Sequence, residues 1–290
     1  MTRVNATLAH SSRLSGDLLA RQVQLACVLE VSAAKPGNVT PSHDFSDTTY
    51  ADMVRSALAL GPVFARDAAL QRTVGELIAD GVEATARVVR ANTNLGIVLL
   101  FAPLVRAEVT RRTDEPLRVA LERTLAGLDV RDAATAFAAI ARVSPGGLGE
   151  APEHDVRAPA RVSLREAMEA AAHRDSIAAE YATGYATVFD TGLPLLEDAL
   201  RDGRSTLDAI VSLHVGLLAY RPDSLIARKA GDAAARAVTD AAREVRNGTR
   251  SLPDFDSSLR TDDGRLNPGT TADLVAATLL AALMTGMRLP

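Results

Sequence analysis

The most apolar parts of this sequence are LGIVLLFAPLV at residues 95–105 and LLAALMTGM at residues 279–287. Both stretches are shorter than the ~20 residues that an apolar helix needs to cross a bilayer. We therefore expect them to form helices buried in a protein core. Alanine is abundant, aromatic residues make up only 3% of the chain, and the alternating patterns typical of strands are scarce. The sequence thus predicts an all-α fold.

Composition and charge restrict the class of protein. The 290 residues are 47% hydrophobic and 23% charged, with a mean hydropathy of +0.06, which is typical of a globular chain. The formal net charge is −4, so we expect neither nucleic acid nor a membrane as a partner, because both require clustered positive charge. The single cysteine, Cys27, excludes an internal disulfide. The first 15 residues lack the apolar run of a secretory signal, which predicts a cytoplasmic protein.

Helical periodicity extends over most of the chain. Leu18, Leu25 and Leu29 recur at helical spacing, and this first helix is expected to end near Ala34. Composition does not shift along the sequence, which favours a single helical domain over residues 1–290. We predict further helices at about 48–60, 70–91, 95–109, 116–126, 131–142, 164–188, 193–202, 206–220, 223–246 and 270–287.

Polar loops between the helices carry the candidate functional residues. The first loop runs from Glu30 through Lys35, Gly37 and Asn38. Lys35 is one of only two lysines in the chain. It is either a solvated residue or a point-charge ligand for phosphate.

Two acidic residues, Asp44 and Asp47, follow in the same loop and precede a helix. They have two interpretations, which do not exclude each other. Such residues cap a helix and interact with its dipole, and clustered carboxylates also supply ligands to Mg²⁺.

Three later loops open helices with polar residues. Helix N-termini offer free backbone N–H groups and suit anions, so their convergence on one polyphosphate is a coherent hypothesis. Capping and surface ion pairs are the ordinary alternatives. The residues concerned are Asn92, Thr93, Asn94, Gly96, Asp223, Arg228, Asn267, Gly269, Thr270 and Asp273. No P-loop, strand-linked Gly-x-Gly-x-x-Gly or His-Glu-x-x-His motif accompanies them.

At these loops the sequence resembles the triphosphoribosyl-dephospho-CoA synthase family over about residues 20–287. Each motif is weak alone, and the resemblance rests on their order. The motifs are Glu30 through Lys35-Pro36-Gly37, Asp47, Asn92-Thr93-x-x-Gly96, Asp223 through Arg228 and Gly231, and Pro268-Gly269 through Ala272-Asp273-Leu274.

The resemblance implies an all-helical, Mg²⁺-dependent transferase. Such an enzyme moves the triphosphoribosyl group of ATP to the ribose 2′-hydroxyl of 3′-dephospho-CoA and releases adenine. Because the glycosidic bond breaks through an oxocarbenium-like state, carboxylates are needed to activate the hydroxyl and to stabilise positive charge.

The resemblance also implies three sets of site residues. The base or charge stabiliser is expected at Glu30 or Asp47, and the Mg²⁺ ligands among Asp47, Asp223 and Asp273. Lys35 and Arg228 are expected on phosphates. The remaining residues expected to bind substrate are Gly37, Asn38, Asn92, Thr93, Gly96, Asn267, Gly269 and Thr270, with Asn92 and Thr93 positioning adenine or ribose.

Departures from the family pattern leave the acceptor open. Family members associated with decarboxylases carry His-Lys where this chain has Asn94-Leu95, and Asp where it has Thr40. They also place a His two residues before the acid matched by Asp47, whereas His43 lies four before it. These differences resemble a branch of archaea and methylotrophic bacteria that is associated with tetrahydromethanopterin synthesis, which implies a different acceptor as the alternative.

Two further classes stay open from the residues alone. The pairs His43-Asp44 and His154-Asp155 suggest a helical HD-type phosphohydrolase, although both pairs lie in Gly- and Pro-bearing segments. The other class is a non-catalytic helical nucleotide-binding protein. A homo-oligomer is also compatible with the sequence.

Overall fold

Helices form almost all of the regular structure in the computed structural model, which describes residues 18–91, 93–143, 155–261 and 263–290. Within those ranges there is no β-strand, and a single isolated bridge joins Thr40 to His43. The predicted all-α fold is confirmed. The helices are α1 (18–32), α2 (Tyr50–Val63), α3 (Arg66–Leu70), α4 (Val74–Ala86), α5 (Leu95–Thr110), α6 (Leu117–Ala126), α7 (Val130–Val143), α8 (Leu164–Ala171), α9 (Ser176–Thr183), a π-helical segment (Thr187–Gly192), α10 (Leu193–Arg201), α11 (Thr206–Tyr220), α12 (Ser224–Ala230), α13 (Asp232–Arg246), α14 (Leu252–Leu259) and α15 (Gly269–Met284).

Two strongly apolar helices, α5 and α15, pack against each other in the larger hydrophobic core. Every residue of α5 from Gly96 to Val105 is buried, and so is every residue of α15 from Leu274 to Ala282. Apolar burial of this extent is the dominant favourable term in folding. In the described parts of the chain, no helix combines the length and apolarity needed to traverse a bilayer.

Prolines inside α2 and α5 leave carbonyl groups that other side chains satisfy. A proline lacks the N–H that would bond to the carbonyl four residues earlier. In α5 the carbonyl left by Pro103 belongs to Leu99, and it accepts a hydrogen bond of 2.6 Å from the Tyr181 hydroxyl. In α2 the carbonyl left by Pro62 is that of residue 58, and the side-chain amide of residue 24 donates to it at 2.9 Å. These bonds connect α5 to α9 and α1 to α2.

A smaller hydrophobic cluster joins α11, α12, α13 and α14. Leu218, Ile226 and Phe255 are fully buried in it. The cluster fixes α12 and α14 beside the loop that precedes α15. It thereby sets the position of several polar residues described below.

Two predicted helices are broken, and two short helices, α3 and α14, were not predicted. The stretch 164–188 was expected to be continuous, but the chain leaves α9 at Gly184 in a left-handed conformation (φ +64°). The stretch 223–246 is interrupted at Gly231, which has φ +88° and separates α12 from α13. Glycine adopts such angles without steric cost. The short α14 was missed because its eight residues include a proline and four Asp or Ser residues, a composition typical of loops.

Candidate active site

A cavity of about 1130 Å³ opens among the loops that join the helices. Its wall includes the end of α1, the loop before α2 and the N-terminal ends of α5, α9 and α15. Phe137 and Ile140 of α7 and Met168 of α8 add apolar surface. A cavity of this size is large enough for a nucleotide together with a second substrate.

Most of the predicted site residues line this cavity, although they come from distant parts of the sequence. Lys35, Gly37 and Asp223 are absent from the lining. Asn92 lies outside the described residues. The predicted residues that line the cavity are Glu30, Asn38, Asp47, Thr93, Gly96, Arg228, Asn267, Gly269, Thr270 and Asp273.

Glu30 and Lys35 form a buried ion pair at the end of α1. The Lys35 Nζ lies 2.8 Å from Glu30 Oε1 and also donates to the backbone carbonyl of Glu30. Lys35 is 0% exposed and Glu30 is 2% exposed. The solvated interpretation of Lys35 is therefore wrong. Its ammonium is bound to Glu30 and does not line the cavity, so this arrangement does not support the phosphate-ligand interpretation. Its chain folds back onto α1 instead.

The turn after Lys35 is pressed against α14 and the loop before α15. Gly37 has φ +74°, and a Cβ at this position would lie 2.9 Å from both Leu259 Cβ and Pro268 Cδ. Its N–H donates to Asp256 Oδ1 at 2.8 Å. Gly37 therefore has a packing role next to the cavity and does not contact the cavity itself, contrary to the sequence prediction.

Two asparagines from opposite ends of the chain meet beyond this turn. Asn38 Nδ2 donates to Asn267 Oδ1 at 2.7 Å, and both residues line the cavity. The buried Oδ1 of Asn38 has no hydrogen-bond partner in the described structure. The pair places two amide groups of fixed orientation in the wall.

The N-terminus of α5 meets the N-terminus of α15 at Gly96 and Asp273. A Cβ on Gly96 would overlap Asp273 Oδ2, so only glycine allows this approach. Asn94 is the N-cap of α5, yet its side chain makes no capping bond and accepts from Thr93 Oγ1 at 3.3 Å. Thr93 in turn shares a 2.6 Å hydrogen bond with Ser56 Oγ. The Asn94 side chain therefore does not cap the first turn of α5, which borders the cavity.

The carboxyl group of Asp273 lies in a negatively charged environment. Its pKa is raised well above the ordinary value by burial and by the nearby charges of Glu30, Asp223 and Asp175, with Arg228 acting in the opposite direction. Among the described residues, no donor forms a hydrogen bond to it. Asp273 is therefore a cavity carboxyl group that the protein leaves available.

Asp223 connects the N-termini of α12 and α15. Its Oδ1 accepts from the N–H groups of Leu225 and Ile226, at 2.8 and 3.0 Å, and so caps α12. Its Oδ2 accepts from the N–H and the hydroxyl of Thr271, both at 2.7 Å. Because Asp223 is buried outside the cavity with both oxygens occupied, it is not placed to bind a metal as predicted.

Arg228 is held against the cavity wall by a residue that the sequence analysis did not single out. Its Nη1 lies 2.6 Å from Asp175 Oδ2, and both side chains are about a quarter exposed. Asp175 also caps α9 through Oδ1, which accepts from Ile177 and Ala178 at 2.8 and 3.1 Å. An N-cap pattern before Ser176 was the only local signal for Asp175.

The cavity is also lined by further cations, which the sequence analysis did not single out. They were missed because arginine is common throughout the chain and no motif marks these positions. Arg260 is paired with Asp256 at 2.8 Å. The cations concerned are Arg90, Arg174 and Arg260, and the second lysine of the chain, Lys229, also lines the cavity.

The predicted Mg²⁺ ligands do not form a ready-made metal site. Asp47 is exposed at the cavity and Asp273 lies in its wall, whereas Asp223 is elsewhere. Asp44 accepts from the N–H of Tyr50 at 2.7 Å, as a residue flanking a helix start would. In the described ranges, no three His, Cys, Asp or Glu side chains are grouped to hold a metal. His154, which belongs to the second His-Asp pair, lies outside the described residues.

Comparisons with known proteins agree with the resemblance. A family model described as CitG, ATP:dephospho-CoA triphosphoribosyl transferase, matches residues 17–289. One similar solved structure is a protein from Archaeoglobus fulgidus that is provisionally described as a triphosphoribosyl-dephospho-CoA synthase. It is 27% identical, has a TM-score of 0.64, and the match covers 80% of this chain and 99% of that chain. No curated protein sequence matches this chain.

Proposed function

Because this chain belongs to the ATP:dephospho-CoA triphosphoribosyl transferase family of enzymes, we propose that its cavity carries out that transfer. The triphosphoribosyl group of ATP moves to the ribose 2′-hydroxyl of 3′-dephospho-CoA, and adenine is released. One observation supports the proposal above others. The cavity gathers Glu30, Thr93, Gly96, Arg228 and Asp273, which belong to four motifs far apart in the sequence.

The reaction breaks the bond between C1′ of ATP and N9 of adenine and forms a bond between C1′ and the acceptor oxygen. The acceptor hydroxyl loses its proton to a carboxylate, and the departing adenine takes up one proton. Positive charge develops at C1′ between these events, as in glycoside hydrolysis. A carboxylate near C1′ stabilises that charge and accepts the proton.

Glu30 suits the role of base better than Asp47. Glu30 is 2% exposed and its Oε1 is fixed by Lys35, while no donor in the described structure occupies Oε2. Asp47 is exposed at the cavity, and no hydrogen bond or ion pair with another described residue holds it. Arg228 lies on the same wall as Asp273 and is proposed to bind the triphosphate.

Mg²⁺ fits the donor set of this cavity. Asp273 is a carboxyl group without a hydrogen-bond partner among the described residues, and Asp47 is an exposed residue of the same cavity lining. We propose these two residues as the Mg²⁺ ligands. When bound, the ion neutralises phosphate charge and orients the triphosphate.

The proposed reaction is tested by incubating the purified protein with ATP, Mg²⁺ and dephospho-CoA and separating the products by mass-resolved chromatography. We expect free adenine and a triphosphoribosyl adduct. Glu30→Gln should lower adenine release about 100-fold, as loss of a general base does. Glu197→Gln, at an exposed position of α10, should match wild type. Absence of adenine with every acceptor tried would reject the transferase proposal.

A second candidate is the same nucleotide chemistry on a different acceptor. The observation that favours it is Asn94, which is 4% exposed and lines the cavity where decarboxylase-associated relatives carry histidine. An acceptor from tetrahydromethanopterin-type cofactor synthesis is the proposed alternative. Adenine release with such an intermediate, and none with dephospho-CoA, would establish it.

Cellular location and assembly are further parts of the proposal. We propose the cytoplasm, since ATP-dependent cofactor synthesis takes place there. A homo-oligomer stays a prediction, and light scattering of the purified protein measures it directly.

A further inference from the structure

Lys35 is the most deeply buried cation beside the cavity, and the proposed reaction has not yet given it a role. Its side chain is 0% exposed and comes from the turn that follows α1. Its Nζ contacts two groups, both belonging to Glu30: Oε1 at 2.8 Å and the backbone carbonyl. A lysine that binds phosphate must present its ammonium to the ligand, and Lys35 is not among the residues that line the cavity.

The local sequence explains how Lys35 reaches Glu30 from behind. The N–H of Lys35 donates to the carbonyl of Ala33 at 2.7 Å, which closes a tight turn directly after α1. Pro36 follows, and Gly37 is pressed against Leu259 and Pro268. The turn therefore has no room to move outward, and the lysine side chain runs back along α1. Its ammonium also caps the C-terminal end of that helix, where cations are favoured.

The charges around Glu30 make Lys35 its main compensating cation. On the cavity side lies Asp273, a carboxyl group that offers Glu30 no positive charge. Burial raises the pKa of the Cys27 thiol, which is neutral. On the far side of Lys35, burial and the lysine charge lower the pKa of His214 to about 3, so its imidazole is neutral as well.

The two oxygens of Glu30 are used differently. Lys35 fixes Oε1, and in the described structure no donor reaches Oε2, although Glu30 lines the cavity. A carboxylate held through one oxygen keeps the other in a defined direction. Catalytic groups must be held within a fraction of an ångström to be effective.

We propose that Lys35 is a positioning residue that acts through Glu30: its ammonium, outside the cavity, orients Glu30 and compensates its charge so that Oε2 meets the acceptor hydroxyl. This inference rests on the proposed function, in which Glu30 takes the proton of that hydroxyl. Lys35 itself touches neither substrate. The loss of its charge therefore affects the chemical step and leaves ATP binding intact.

Lys35→Met tests this proposal because methionine keeps the unbranched side chain as far as Cε and removes the charged ammonium. We expect kcat to fall about 100-fold, as for loss of a positioned base, with KM for ATP changed by less than threefold. Arg228→Gln serves as the contrast, since the loss of a residue that binds phosphate should raise KM for ATP. If Lys35→Met raises KM for ATP at least tenfold and keeps kcat, Lys35 binds phosphate and the proposal is overturned.

Glu30→Gln combined with Lys35→Met guards against misfolding, since the double variant leaves neither charge buried alone. In the Glu30→Gln background, Lys35→Met should cost less than a further twofold in kcat. If Lys35→Met lowered kcat by a further 100-fold or so in the double variant, the proposal would be overturned. Calorimetric titration with ATP and Mg²⁺ measures ATP binding independently of activity, and so separates the proposed function from the positioning role of Lys35. An inactive wild-type protein would refute the proposed function alone. Weaker ATP binding by Lys35→Met than by the wild type would refute the positioning role, whether or not the wild type is active.

Discussion

Gly96 and Asp273 meet where the first turns of α5 and α15 touch, and the carboxylate occupies the space that a Cβ on Gly96 would need. The absence of a side chain at Gly96 thus brings the two central helices together at the cavity. It also places Asp273 next to the N-terminus of α5, where a negative group is favoured. This single contact links the packing of the core to the electrostatics of the site.

Gly96→Ala is expected to damage both stability and activity. The added methyl group must displace Asp273 or separate the helices, which costs about 1–3 kcal/mol as overpacking does. Adenine release should fall at least tenfold, because Asp273 leaves its position. Thermal unfolding and the chromatographic assay measure the two effects. Gly127→Ala is the matched control, since its Cβ would meet nothing nearer than 3.5 Å. Equal behaviour of the two variants would contradict the argument.

Asp223→Ala should destabilise the protein by about 2–4 kcal/mol, because four buried donors lose their acceptor. Asp223→Asn should be nearly as harmful, since its Nδ2 would face the N–H of Thr271. Denaturant unfolding gives the free energies. Asp202→Ala, at an exposed position after α10, should change stability by less than 0.5 kcal/mol in the range typical of surface substitutions. A mild effect of Asp223→Asn would argue against a structural role for both oxygens.

His214 should make the protein sensitive to acid. Its pKa is lowered to about 3 in the folded state, whereas it is 6.5 when the chain is unfolded. Below pH 6.5 the unfolded state therefore binds a proton that the folded state does not, and stability falls by about 3 kcal/mol by pH 4. Unfolding curves of wild type and His214→Leu, compared from pH 7 to pH 4, isolate this contribution.

The difference between those two proteins should grow as the pH falls, because leucine cannot take up a proton. His173→Gln is the control, since His173 is exposed and should follow wild type. A constant difference across the pH range would show that His214 does not titrate in this way.

Arg228→Gln should raise KM for ATP about tenfold to a hundredfold, the value of one charge-assisted hydrogen bond to phosphate. The change in kcat should be smaller, since Arg228 is proposed to act in binding. Arg118→Gln removes an arginine that pairs with Asp190 outside this cavity and should leave KM unchanged. Steady-state kinetics of adenine release provide both parameters. An unchanged KM for Arg228→Gln would remove Arg228 from the phosphate site.

The sequence pattern alone predicted those helices whose capping and apolar signals lie within or directly beside the helix. Residues 206–220 were predicted as a helix, and α11 has those bounds because Ser205 caps it and its interior is apolar. The same holds for α5, whose apolar run is continuous. Residues from several predicted loops also line one cavity, in agreement with the expectation that these loops converge. Their chemical roles stay predictions.

Relationships between distant residues were beyond the reach of the sequence. Nothing local distinguishes a lysine that folds back onto Glu30 from one in solvent, because the direction of Lys35 is set by packing against α14. The ion pair between Asp175 and Arg228 joins residues 53 positions apart. Asp223 gave the signal of a helix cap, but its second bond, to Thr271, depends on where α15 is placed.

The position of α15 also has a consequence for synthesis on the ribosome. Residues 269–284 are the last of the described helices to be translated, yet they cover the apolar surface of α5 and carry Asp273 into the cavity. Until α15 has emerged, the surface of α5 that it covers in the folded protein stays exposed. A chain that stops before residue 269 would leave that surface uncovered and would lack the part of the cavity wall that Asp273 supplies.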